Sequence, residues 1–246
     1  MLGLPDGITA CLFDLDGVLT KTAEVHAAAW KEMFDDVLAA HAGDADVDSR
    51  PFDAIGDYLE YVDGKPRYDG VRDFLASRGV HPPEASDDLP AGTETIQSLG
   101  DLKNDNVQRI IVTDGVEPYE GSVRYLQAAQ DAGLGIAVVS SSANAAAVLE
   151  AAGLSKFIQE RVDGAVASAE NIKGKPAPDM FWEAAKRLGA TPETSAVFED
   201  ALSGVKSGAS GGFVTVIGVD RGGQPDALRA AGATQVVDDL ADLLDA

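Results

Sequence analysis

Three apolar runs, far apart in the chain, each stop on a polar side chain suited to phosphate or metal chemistry. Residues 8–13, ITACLF, stop at Asp14, with Asp16 and Gly17 close behind. LGIAVV stops at Ser140, and the short run at 196–198 stops at Glu199 and Asp200. A carboxylate at the exit of a buried strand is costly unless something cationic compensates it. Lys175, in the segment GKPAPD ahead of the third run, offers that cation. The set holds a carboxylate able to accept a phosphoryl group covalently and a second carboxyl able to carry a hydroxyl proton. It also holds a hydroxyl donor, an ammonium, and hard oxygen ligands of the kind Mg²⁺ takes.

Near-continuous apolar runs of this length read as strands of a parallel sheet, buried on both faces. In such a sheet the strand ends fall along one edge, where open α/β folds bind ligands. After Thr20 the pattern turns helical: TAEVHAAAWKEMFDDVLAAHAG sets Val25, Ala28, Met33, Val37 and Leu38 near one stripe, with Gly43 as a stop. Residues 44–117 are acidic and loop-rich, with helical patches at 53–62, 69–78 and 93–111 and no strand–helix alternation. Beyond them a helix over 122–132 ends at Gly133, a suitable C′ glycine. Another begins around Asn144, where its N-terminal amides suit an anion. After Lys175 comes an amphipathic helix containing Phe181, Ala185 and Leu188, then the Gly-rich ALSGVKSGASGG. VTVIGVD at 214–220 and TQVVDDL at 234–240 read as the closing strands.

The segment FDLDGVLT resembles motif one of the haloacid-dehalogenase-like phosphotransferases. TAEVHAAAW, YVDGKPRYDGVRDFL and LKNDNVQRI are similar to cap segments of that family's beta-phosphoglucomutase branch. The resemblance implies that Asp14 attacks phosphorus and that Asp16 is the general acid/base, its main-chain carbonyl helping to hold Mg²⁺. It implies a phosphate-binding role for Ser140, Ser141 and Lys175, and a Mg²⁺ site completed by Asp14, Glu199 and Asp200. In the cap it makes His26, Arg67 and Lys103 substrate contacts, with Asn104 beside them and Asn144 at the core. Arg67 would grip the phosphate that is not transferred, its planar fork matching phosphate oxygens. Two stretches depart from the family pattern. Tyr119-Glu120-Gly121 stands where Tyr-Pro-Gly is usual, with Pro118 one place earlier, and HPPEASDDLPAGTE is longer than the usual cap loop.

The expected architecture is a doubly wound, Rossmann-like parallel sheet formed by 1–20 and 118–246, with a helical cap inserted at 21–117. The expected activity is that of a beta-phosphoglucomutase, turning beta-glucose 1-phosphate into glucose 6-phosphate through a bisphosphate. A Mg²⁺-dependent sugar-phosphate phosphatase on the same core is the alternative, and a catalytically silent sugar-phosphate-binding protein the third reading.

Composition narrows the partners. With 19 Lys+Arg against 41 Asp+Glu the formal net charge is −22, which excludes nucleic acid and anionic membrane as partners. Because the proposed substrates are anions too, each cation near a motif carries more information than usual. No stretch reaches the roughly 18–20 apolar residues of a membrane span, and MLGLPDGITA lacks the basic start of a signal peptide. The single cysteine, Cys11, lies inside the first strand and can form no intrachain disulfide. A cytoplasmic monomer acting on small phosphorylated sugars is the expectation.

Overall fold

The computed structural model describes residues 2–244, so the expected core limits at 1 and 246 lie outside the described residues. The chain divides into two units, Met1–Thr22 with Gly115–Ala246, and Ala23–Asp114.

The first unit is built on a six-stranded parallel sheet. Its strands are β1 (Ala10–Phe13), β2 (Gly135–Val139), β3 (Glu160–Val162), β4 (Ser195–Glu199), β5 (Thr215–Val219) and β6 (Gln235–Val237). Their order is β3-β2-β1-β4-β5-β6. The first strand is central, Phe13 registering with Val138 on one side and Phe198 on the other. Chain connections leave it in both directions, so Asp14 falls at the switch in strand order where such sheets open a crevice.

Alternation decides which helix covers which face. Leu12, Ala137, Val139, Val197 and Val216 share a core with Met180, Phe181, Ala184 and Ala185 of α7 (Asp179–Arg187), Val205 of α8 (Leu202–Ser210) and Leu228 of α9 (Pro225–Ala231). In α7 the buried positions recur at helical spacing, and Asp179 in the first turn and Lys186 and Arg187 in the last complement the helix dipole. On another aspect of the sheet Phe13 stacks on Phe198 at 4.4 Å, and both meet Tyr125 of α4 (Glu120–Asp131) edge-on. Two shorter helices, α5 (Ala145–Ala151) and α6 (Gly164–Glu170), complete the unit's connections.

The second unit is helical, with α1 (Ala23–Ala40), α2 (Arg67–Ser77) and α3 (Ile96–Asp114) and a π-helical turn at Tyr58–Val62. Trp30, Phe34, Phe52 and Phe74 form its aromatic centre, with ring centroids 4.2–5.2 Å apart in successive contacts. Buried Arg78 pins the loop before the π turn through Asp48 at 3.1 Å and Asp57 at 2.6 Å.

One strand was not anticipated. β3 is three residues long, Glu-Arg-Val, with only Val162 buried, so it carries none of the apolar periodicity that marks the others. The acidic stretch 81–94 forms no helix or strand; Glu84 ties it down by accepting from Arg72 at 2.6 Å and from Gln97.

Candidate active site

The parallel register brings the ends of β1, β2 and β4 level, and the three expected strand-end groups meet there. The amide of Asp14 donates to the Phe198 carbonyl at 2.9 Å, which fixes the first residue past β1 against the end of β4. Lys175 is 1% exposed and lies among all three strands. Its Nζ donates to Asp14 Oδ1 at 2.5 Å, to the Val139 carbonyl at 2.8 Å and to Glu199 Oε1 at 2.6 Å, so all three ammonium protons are placed. The Lys175–Pro176 peptide is cis.

Electrostatics here is a contest among buried charges. Burial pushes the Asp14 carboxyl well above the usual carboxylate range; Lys175 pulls it down, while Glu199 and Asp16 push it up again. For Lys175 burial works against the ammonium, but Asp14 and Glu199 outweigh it and hold its pKa above the ordinary lysine range. The lysine stays charged, and its two anions still exceed what one cation can neutralise.

That imbalance bears on a metal. One carboxylate oxygen from each of Asp14, Glu199 and Asp200 lies within 4.8 Å of the others. Hard oxygens at this spacing, with one ammonium shared between Asp14 and Glu199, fit a divalent cation of the Mg²⁺ or Ca²⁺ kind. The three differ in freedom. Glu199 is fully buried, Oε1 taken by Lys175 and Oε2 accepting from the Ala201 amide at 3.0 Å. Asp200 is half-buried and packs against Gly17, whose φ of +88° places its Cα where any Cβ would strike the Asp200 carboxylate. The Asp16 side chain is not one of the three: its Oδ1 accepts from Thr22 Oγ1 and its Oδ2 from Ser140 Oγ at 3.4 Å. Thr22 is joined in turn to Thr20 at 2.8 Å, a file of hydroxyls that orients the second aspartate.

Past β2 the chain turns through its serines. Ser140 is 1% exposed, and its Oγ accepts from the Ser142 amide at 3.1 Å. Ser142 Oγ accepts from the Asn144 amide at 3.1 Å, and Asn144 stands at the N-cap of α5. Ser141 lies between them, half-buried, its carbonyl close to Gly164. Hydroxyls and turn amides are thereby gathered next to Asp16 and Asp14.

The expected cap residues form two separate clusters within the second unit. His26 and Lys103 are both buried, Lys103 Nζ lying 2.7 Å from His26 Nδ1 and 4.7 Å above the Trp30 ring. An ammonium has only donors, so in this contact His26 Nδ1 is the acceptor. Asn104 follows Lys103 on α3. Arg67 opens α2; its Nη2 donates to the Tyr68 hydroxyl at 2.9 Å and to Asp101 Oδ1 at 3.1 Å, and its guanidinium lies 4.8 Å from the Tyr68 ring centroid. Tyr68 donates to the same Asp101 oxygen at 2.8 Å.

Sequence reasoning missed Arg221, just past β5. Its Nε donates to the Gly17 carbonyl at 3.0 Å, Nη1 to the Asp238 carbonyl at 2.7 Å, and both Nη groups approach Asp239 Oδ2 at 3.3 Å. Its guanidinium also covers the Tyr119 ring at 3.7 Å. The available signal was a cation two residues past an apolar strand in a chain poor in cations.

Residues 8–212 match the family model described as haloacid dehalogenase-like hydrolase. The chain is 53% identical over 247 residues to a protein of Mycobacterium tuberculosis named beta-phosphoglucomutase, covering 99% of this chain and 94% of that one. It is 32% identical over 235 residues to the Bacillus subtilis protein of the same name, covering 95% and 91%. Among solved structures it resembles a beta-phosphoglucomutase from Clostridium difficile, with a TM-score of 0.75, 25% identity, and 96% and 93% of the two chains covered.

Proposed function

The chain belongs to the haloacid dehalogenase-like hydrolase family, and from that premise we propose that it is a beta-phosphoglucomutase, interconverting beta-glucose 1-phosphate and glucose 6-phosphate. The chemistry rests on one observation: Lys175 is wholly buried and joins Asp14 to Glu199 at the common end of three strands. A hydrolase could use the same arrangement. The choice of a mutase, an isomerase that keeps the phosphoryl group, follows the near-full-length relatives that carry that name.

In this reading the catalytic core is the sheet unit and the helical unit is the cap. A carboxylate oxygen of Asp14 carries the phosphoryl group. In the first half-reaction a sugar hydroxyl attacks phosphorus, Asp16 takes the hydroxyl proton, and the bond from phosphorus to Asp14 breaks. The product is glucose 1,6-bisphosphate. It turns end for end, Asp14 attacks the other phosphorus, and Asp16 returns its proton to the departing sugar oxygen. Lys175 and the Ser140–Ser141 turn stabilise the equatorial oxygens as charge spreads over them. Mg²⁺, when bound, supplies further positive charge at those oxygens. Asp14, Glu199, Asp200 and the Asp16 carbonyl would hold it, Glu199 being aligned by Lys175 and the Ala201 amide. Asn144 borders the sugar, and His26, Lys103 and Arg67 serve the cap side of the substrate. A small, charged sugar phosphate in the cytoplasm is the matching partner for a chain that acts as a monomer. Among the described residues no helix is long and apolar enough to cross a membrane.

The test is to incubate the protein with Mg²⁺, beta-glucose 1-phosphate and a trace of glucose 1,6-bisphosphate, following phosphorus by NMR. Glucose 6-phosphate from the beta anomer, and none from the alpha anomer, is the expected outcome. Glucose and inorganic phosphate as the main products would make the protein a phosphatase.

A further inference from the structure

Asp16 lies in a turn with little regular structure to hold it. The turn is closed by the Gly17 amide on the Thr20 carbonyl at 2.8 Å and by Leu19 and Thr20 amides on the Leu15 carbonyl. Gly17 has the left-handed φ that lets Asp200 pack against it. The carbonyl of that same glycine accepts from Arg221 Nε at 3.0 Å. The arginine is anchored in turn by the Asp238 carbonyl and the Asp239 carboxylate past β6. Its flat face is pressed on Tyr119, whose amide donates to the Leu19 carbonyl of the turn at 3.0 Å. One guanidinium thus ties three segments to the end of β5: the turn itself, the start of α4 at Tyr119, and the residues past β6. A lysine has no flat guanidinium to lie on Tyr119 while its donors reach the Gly17 and Asp238 carbonyls in fixed directions.

We propose that Arg221 is a positioning residue for the proton-transfer step, holding the turn that sets Asp16 over the departing or attacking sugar oxygen. The proposal rests on the reading of Asp16 as general acid and base. Its consequence is selectivity by leaving group. When a sugar phosphate phosphorylates Asp14, the P–O bond to the sugar breaks and that oxygen must take a proton from Asp16. When acetyl phosphate does so, acetate leaves as a stable anion and needs no proton. Loosening the turn should therefore slow the first reaction far more than the second.

The experiment compares wild type, Arg221→Gln, Arg221→Lys and, as benchmark, Asp16→Asn, all with Mg²⁺. The readouts are kcat and KM with beta-glucose 1-phosphate, the pre-steady-state burst of acetate from acetyl phosphate, and the melting temperature. A misplacement near 1 Å costs about 10²-fold in rate, so Arg221→Gln should lose about that in kcat while the acetate burst changes less than about threefold. Arg221→Lys should recover part of the loss, and Asp16→Asn should show the same selectivity in stronger form. Equal losses with both donors, or an unchanged kcat in a folded Arg221→Gln protein, would overturn the proposal. If Asp16→Asn slows both donors alike, the acid/base reading of Asp16 fails, and the role given to Arg221 falls with it.

Discussion

Asp14→Asn and Lys175→Met should both silence the enzyme yet shift its stability in opposite ways. Lys175 joins Asp14 and Glu199, wholly buried, with all three protons in bonds of 2.5–2.8 Å. Methionine fills similar volume but strands Asp14, Glu199 and the Val139 carbonyl. Removing one partner of a buried ion pair costs about 3–5 kcal/mol. At about 2–4 °C per kcal/mol for a chain of this size, the melting temperature should fall by roughly 6–20 °C. For Asp14 the balance differs. Burial comes first among the forces raising its pKa, and Glu199 and Asp16 add repulsion, so the charged form is disfavoured in the metal-free fold. Asparagine keeps an acceptor for Lys175 and removes that charge. Asp14→Asn should therefore melt within about 1 kcal/mol of wild type, or above it, when both are measured in chelator. Differential scanning calorimetry with excess EDTA reads both values. Comparable losses of stability in the two variants would refute the charge-balance argument.

Three further outcomes are expected. Arg67→Ala should lower mutase kcat/KM by roughly two to four powers of ten, since each charge-assisted bond to a distal phosphate is worth about 1.5–3 kcal/mol; acetyl phosphate hydrolysis should change far less, and a parallel fall in both would remove Arg67 from that role. Chelation should abolish turnover, with Mg²⁺ restoring it and the larger, more loosely coordinated Ca²⁺ restoring it poorly; full activity in excess chelator would contradict the metal assignment. Acid should weaken the fold through exposed carboxylates held below their usual range, Asp48 by its hydrogen bonds to Arg50 and Glu84 by those to Arg72 and Gln97. Folded pKa values below the unfolded ones add stability above about pH 4 that is lost as pH falls through the folded values, so Asp48→Asn should flatten the acid limb of a melting-temperature profile.

The strand ends were legible because hydrophobic burial writes itself as apolar runs, and a run that stops on Asp14, Ser140 or Glu199 announces both an element and its exit. Lys175 was legible through its proline-flanked segment. Arg221 was not, because its meaning depends on Gly17, Tyr119 and Asp239, which only the folded sheet assembles. The partnership of Arg67 with Tyr68 and Asp101 was hidden for a related reason. Asp101 is one acid among many in an acidic stretch, and nothing local marks it as the one that meets the arginine. β3 escaped because a three-residue strand at the sheet's edge buries a single side chain.

The segments that leave and re-enter the sheet unit run side by side. The Lys21 amide donates to the Glu117 carbonyl at 2.9 Å, and Thr20 bridges Pro118 in antiparallel fashion. Everything between Thr22 and Gly115 hangs from this two-stranded neck, so to the sheet it is a loop whose ends are already joined. Lengthening such a loop is cheap, each doubling adding only about 0.6 kcal/mol of closure entropy. The neck therefore behaves as a socket. Inserts of very different length could be spliced into it while the strands behind go on meeting in the same register, and the enzyme's choice of substrate could change by exchange of the insert, with the catalytic edge left as it is.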